Sequence, residues 1–174
     1  MSLETDFAMT RESLKGVQDE STYGGITSFM RRRYTRDLTG VDVAVLGVPF
    51  DLATTNRSGT RLGPRGIRTA SASLAWENQV QGWDFSPLEE LAIVDYGDCP
   101  FDAGTPEKVP EQIYQQAKAI LATDTALLSM GGDHFVSYPL LRAHAEKYGP
   151  LALIHFDAHS DTWEDDGERI DHGT

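Results

Sequence analysis

Asp157-Ala158-His159-Ser160-Asp161 places two carboxylates and an imidazole at alternate positions behind a short apolar run. In an extended chain alternate side chains point the same way, so Asp157, His159 and Asp161 can face one point. Two hard oxygen donors and one imidazole suit a divalent ion such as Mn²⁺, Fe²⁺, Co²⁺ or Zn²⁺. Unpaired polar groups at the end of a buried strand are costly, so something compensates them. A metal ion does this, and so does a network of caps and ion pairs; the triplet alone leaves both open. His134 follows Gly131-Gly132-Asp133, where glycines let backbone approach closely. By itself such a histidine reads as a hydrogen-bonded structural residue. The two motifs in this order, about one βαβ step apart, favour a metal centre. Asp133 is then expected to orient its neighbours rather than bind metal. His144 reads as a structural helix residue, and His155 as a core residue with a satisfied ring, one step deeper in the strand.

The elements that must position these groups follow from the apolar pattern. Residues 41–49 (VDVAVLGVP), 91–95 (LAIVD), 125–130 (TALLSM) and 151–157 (LALIHFD) are short, nearly continuous apolar runs that suit strands buried on both faces. Between them, residues 63–74 begin with Gly-Pro, a tolerated helix start. Residues 106–123 carry Val109, Ile113, Ala117, Ile120 and Leu121 at helical spacing. Residues 137–148 form a third helical stretch, with Gly149 where a left-handed cap would sit. Four strands alternate with three helices, the pattern of an α/β fold with a mostly parallel sheet between helical layers. In such sheets ligands gather beyond the carboxyl ends of the strands, here residues 47–51, 131–134 and 157–161. Residues 1–39 lack a strong period and read as an irregular amino-terminal arm. Its Arg31-Arg32-Arg33 cluster reads as a solvated surface or a subunit contact. Residues 40–174 carry the alternating pattern.

Composition narrows the function. A net charge of −12 repels nucleic acid and anionic membranes alike. Cys99 is the only cysteine, which excludes an internal disulfide and a thiolate metal cage. The charged start lacks the apolar stretch of a signal peptide, and no run approaches the roughly 18 apolar residues of a membrane span. The cytoplasm is the expected location.

The ordered set of motifs resembles the arginase–agmatinase (ureohydrolase) family from about Tyr23 onward, bacterial agmatinases in particular. The set comprises Gly47-Val48-Pro49-Phe50-Asp51, residues 56–68 (NRSGTRLGPRGIR), Leu74-Ala75-Trp76, the two histidine-bearing motifs and Asp171-His172-Gly173-Thr174. The resemblance implies a three-layer α/β/α arginase-like fold, Mn²⁺ as the metal, and hydrolysis of agmatine to putrescine and urea. Guanidinobutyrate, guanidinopropionate, formiminoglutamate and arginine are alternative substrates, and a non-catalytic metal-binding module is an alternative of another class. By the same resemblance His134 and Asp161 bind one Mn²⁺, His159 the other, and Asp157 bridges both. Asp161 also relays a proton, and His172 matches the family's proton shuttle. Gly63, Pro64 and Arg68 are expected to shape a loop–helix joint, with an active-site wall as the alternative. Trp163 stands near the place where arginases put an amide that holds a substrate carboxylate, and it cannot reproduce that bond well. With Asp165, Asp166 and Glu168 nearby, a cationic tail is favoured over an anionic one, although Arg169 offers a counter-charge. The resemblance further implies a homotrimer or homohexamer. The family's later aspartate pair and its guanidinium-binding glutamate have no match in these residues, so residues 40–174 are expected to be the amino-terminal portion of a single catalytic domain, truncated here, binding metal weakly and turning over little or no substrate alone.

Overall fold

The computed structural model describes residues 5–17, 20–77, 80–102 and 104–162. Its four strands are β1 (Arg33–Tyr34), β2 (Val43–Val48), β3 (Ile93–Asp98) and β4 (Ala126–Gly131). The α-helices are α1 (Phe7–Thr10), α2 (Gly63–Ser71), α3 (Pro87–Glu90), α4 (Val109–Leu121) and α5 (Ser137–Tyr148). The sheet order is β1-β3-β2-β4, and every pairing is parallel.

β2 lies centrally and reads as a continuous apolar run because both of its faces are covered. Ala44, Leu46 and Val48 turn toward a core built with Val109, Ile113, Ala117 and Ile120 of α4 and Leu140 and Ala143 of α5. Val45 turns the other way, with Ile93, Leu88, Met130 and the arm residues Phe29 and Met30. α2 packs on that second side against β2 and β4. The result is the three-layer α/β/α arrangement expected from the alternation of elements.

α2 is joined to β3 by a buried ion network. Arg68 donates Nε to Asp95 Oδ2 at 2.7 Å, Nη2 to Asp95 Oδ1 at 2.9 Å and Nη1 to Asp98 at 2.6 Å. Burial works against the Arg68 charge, but the two carboxylates outweigh it and raise the guanidinium pKa. Arg68 thus joins a helix to a strand, where a loop–helix joint was expected.

Three expectations are corrected. Residues 151–157 are not a strand: they carry no ladder, and Ile154 and Phe156 are 81% and 94% exposed. An apolar run becomes a buried strand only with a partner edge and a cover on both faces, and among the described residues β4 pairs with β2 alone. The fourth strand is instead β1, contributed by the arm and too short to leave a period in the sequence. The arginine cluster is not wholly a solvated surface either: Arg33 is exposed, but the other two are not. Arg31 and Arg32 are buried, Arg31 pairing with Glu20 at 3.1 Å and Arg32 donating to the Gly16 carbonyl at 2.7 Å. Gly149 has φ 80 and ψ −153, a positive φ without the left-handed helical ψ. Its N–H still closes the helix onto Ala145.

Candidate metal centre

The β4 tip ends in a turn that needs glycine. Gly132 has φ 58, and a Cβ there would lie 2.6 Å from the Val48 carbonyl oxygen. That close approach locks the tip of β4 to the tip of β2. Asp133 N–H donates to the Phe50 carbonyl at 2.8 Å, and its Oδ2 accepts from Ala53 N–H at 2.8 Å. Burial raises the Asp133 pKa against the lowering effect of the Ala53 N–H. Phe135 and Val136 are buried behind the turn, with the Phe135 ring 5.8 Å from that of Phe50. His134 is therefore held between a glycine turn on one side and an aromatic anchor on the other.

Residues 155–161 bring the remaining groups to it. His134 Nε2 lies 3.5 Å from Asp161 Oδ2. His155 Nε2 lies 3.7 Å from Asp157 Oδ2 and 3.9 Å from Asp161 Oδ2. The two imidazoles stack at 5.4 Å. One donor atom from each of His134, His155, Asp157 and Asp161 falls within 4.8 Å of the others. Donors about 2.1 Å from a shared divalent ion stand about 3 to 4.2 Å apart, so the three pair distances already fit one.

His159 lies outside this group. The chain bends at residues 157–159, and Asp161 adopts φ 48. The simple alternation of an extended strand is thereby interrupted, bringing Asp161 back while the His159 side chain is 82% exposed. His159 still approaches the other oxygen of Asp157, its Nδ1 lying 3.5 Å from Oδ1. The His159 backbone N–H donates to that oxygen at 2.9 Å and lowers the Asp157 pKa. Asp157 thus has imidazoles near both oxygens.

His155 is the residue the sequence reading placed in the core. It shares parity with Asp157, which was the available signal. With residues 151–157 outside the sheet its ring joins the carboxylates instead. His144 bears out the structural reading, its Nδ1 lying 2.8 Å from the Leu140 carbonyl. Trp163, Asp165, Asp166, Glu168, Arg169 and His172 lie outside the described residues.

A cavity of about 570 Å³ opens on His134, Asp157, His159 and Asp161 and is lined as well by residues 53–57, Thr60, Gly132 and Asp133. Small-molecule sites fall in the range of about 300–1,000 Å³. Two carboxylates and two imidazoles fit a hard or borderline divalent cation, without selecting one ion.

A model of the arginase family matches residues 41–174. An agmatinase of Chromobacterium violaceum is 57% identical over 171 residues, covering 97% of this chain and 53% of that protein. An agmatinase of Proteus mirabilis is 47% identical, covering 93% of this chain and 53% of that protein. The crystal structure of a hypothetical agmatinase from Burkholderia thailandensis superposes with a TM-score of 0.94 at 55% identity, covering 100% of this chain and 55% of that one. Proclavaminate amidino hydrolase from Streptomyces clavuligerus superposes with a TM-score of 0.76 at 36% identity, covering 89% of this chain and 51% of that one. The chain spans about half the length of the relatives it matches.

Proposed function

The chain belongs to the arginase family, and from that premise we propose that it supplies part of the active site of an agmatinase, releasing urea and putrescine from agmatine. The observation that carries the reading is the convergence of His134, Asp157 and Asp161 on one cavity. In this reading His134 and Asp161 would hold one Mn²⁺ and His159 the other. Asp157 would be shared between the two, its oxygens lying near the His155 and His159 imidazoles. His155 is a further candidate ligand on the His134 side. When bound, a pair of divalent ions lowers the pKa of a shared water and makes hydroxide available near neutral pH. Asp161 receives a proton from the attacking water, and His172 exchanges protons between the departing amine and solvent. Trp163 and the acidic residues beside it disfavour a carboxylate tail.

A small cationic guanidino compound is the substrate, the assembly is a homotrimer or homohexamer, and neither nucleic acid nor membrane is a partner. Among the described residues no helix is long and apolar enough to cross a membrane. A cytoplasmic place in polyamine synthesis belongs to the same reading.

The test is urea release with added Mn²⁺ from agmatine, arginine and 4-guanidinobutanoate. It is run on the 174-residue chain and on that chain joined to the remaining portion of the 57%-identical relative. Agmatine is expected to be preferred by the joined protein, with little or no turnover by the 174 residues alone. Urea from none of the three despite bound Mn²⁺ would replace the enzyme with a metal-binding module.

A further inference from the structure

Part of the wall of the metal cavity is a loop fastened at both ends by buried carboxylates. Asp51, at the end of the β2 segment, is 2% exposed. It accepts N–H groups from Gly59 at 2.7 Å and Arg61 at 3.2 Å, and its other oxygen accepts Arg61 Nε at 2.6 Å. These bonds close residues 51–61 into one compact turn of chain. The second fastening comes from outside the loop. Asp133, 8% exposed, holds the Ala53 N–H at 2.8 Å. Asp133 immediately precedes His134, so one residue connects the loop to the backbone that carries a candidate metal ligand. Between the two fastenings the loop presents Thr54, Thr55, Asn56, Arg57 and Thr60 to the cavity. Those side chains offer hydroxyls, an amide and a guanidinium, and no carboxylate.

We infer that residues 53–60 are the substrate-selecting wall of the metal cavity and that Asp133 is the positioning residue that fixes the wall relative to His134. What passes along the wall rests on the proposed guanidino hydrolysis; the fastening does not. With the reacting guanidinium at the carboxylate side, the tail of the substrate extends toward Asn56 and Arg57. Arg57 then discriminates by charge, favouring a carboxylate tail over an ammonium one.

The fastening is tested by limited trypsin digestion of the 174-residue chain, since Arg57 and Arg61 are both cleavage sites within the loop. Asp133→Ala removes the acceptor for Ala53 N–H, and Asp133→Asn keeps an oxygen there. Loss of a buried hydrogen bond worth roughly a factor of ten in local opening raises cleavage after Arg57 about tenfold in Asp133→Ala. Asp133→Asn is expected to stay within about twofold of the parent. Cleavage after Lys118, within α4, reports global unfolding and is expected to change less. Equal acceleration at Arg57 and Lys118, or equal behaviour of the Ala and Asn variants, would overturn the positioning role.

The selecting role is tested with Arg57→Gln in the joined protein. Removing a positive charge from the cavity raises the ratio of kcat/KM for agmatine over 4-guanidinobutanoate, by about tenfold for a charge in direct reach of the tail. A ratio unchanged within about twofold removes residue 57 from the wall's function. Urea from neither compound in the unsubstituted joined protein rejects the proposed activity and the selecting role with it, while the digestion still decides the fastening.

Discussion

Asp51 shows how one carboxylate organises the approach to the cavity. Its pKa is lowered to about 2, first by the Arg61 guanidinium, against burial, and then by the N–H groups of Gly59 and Arg61. An unfolded aspartate titrates near 3.9. The folded value is the lower, so the ionised form stabilises the fold at pH above about 4 and that contribution disappears as pH falls toward 2. Asp51→Asn is therefore expected to lower the urea midpoint at pH 7, with the deficit closing between pH 4 and pH 2. A deficit independent of pH would assign the effect to packing instead of charge. Cys99 is a contrasting case: burial pushes its thiol up to about 12, which leaves it a core side chain rather than a nucleophile. At this scale the sequence was readable where chemistry is local. The Asp157 and Asp161 pair and His134 announced themselves by type and spacing. His155 did not, because its environment depends on whether the segment around it enters the sheet.

Among the elements, the short apolar runs and the helical spacing of residues 109–121 identify β2, β3, β4 and α4 from sequence alone. Those signals are local and survive without tertiary information. β1 and the burial of Arg31 and Arg32 were hidden for the opposite reason. A two-residue strand has no period, and its pairing with Val94 and Asp95 is a long-range event. Arginines read as surface until a folded arm supplies Glu20 and the Gly16 carbonyl. The failure of residues 151–157 to form a strand has the same origin, since propensity proposes a strand and a neighbouring edge decides. The joint between α2 and β3 is where an element-level prediction is sharpest. Arg68→Ala leaves Asp95, fully buried, without its cation. Removing one partner of a buried pair costs about 3 kcal/mol or more. Chemical denaturation is expected to show that loss, and a change below about 1 kcal/mol would mean Asp95 is compensated elsewhere.

For the molecule as a whole, the three layers bring two loops and the segment after α5 to one end of the parallel sheet. That end is where ligands gather in open α/β folds, and it is where the candidate ligands stand. Locking the β4 tip against β2 through Gly132 matters because it lets His134 and the 51–61 loop share a wall. The most direct test is calorimetric titration of Mn²⁺ into the parent chain and into Asp157→Ala. Replacing even a residue that supports a metal ligand costs about 10- to 100-fold in affinity, so loss of the Asp157 carboxylate, a ligand in the proposed reading, is expected to weaken binding at least about 100-fold. Equal Mn²⁺ affinity in the two proteins, or no uptake by the parent, would contradict a metal centre at this place.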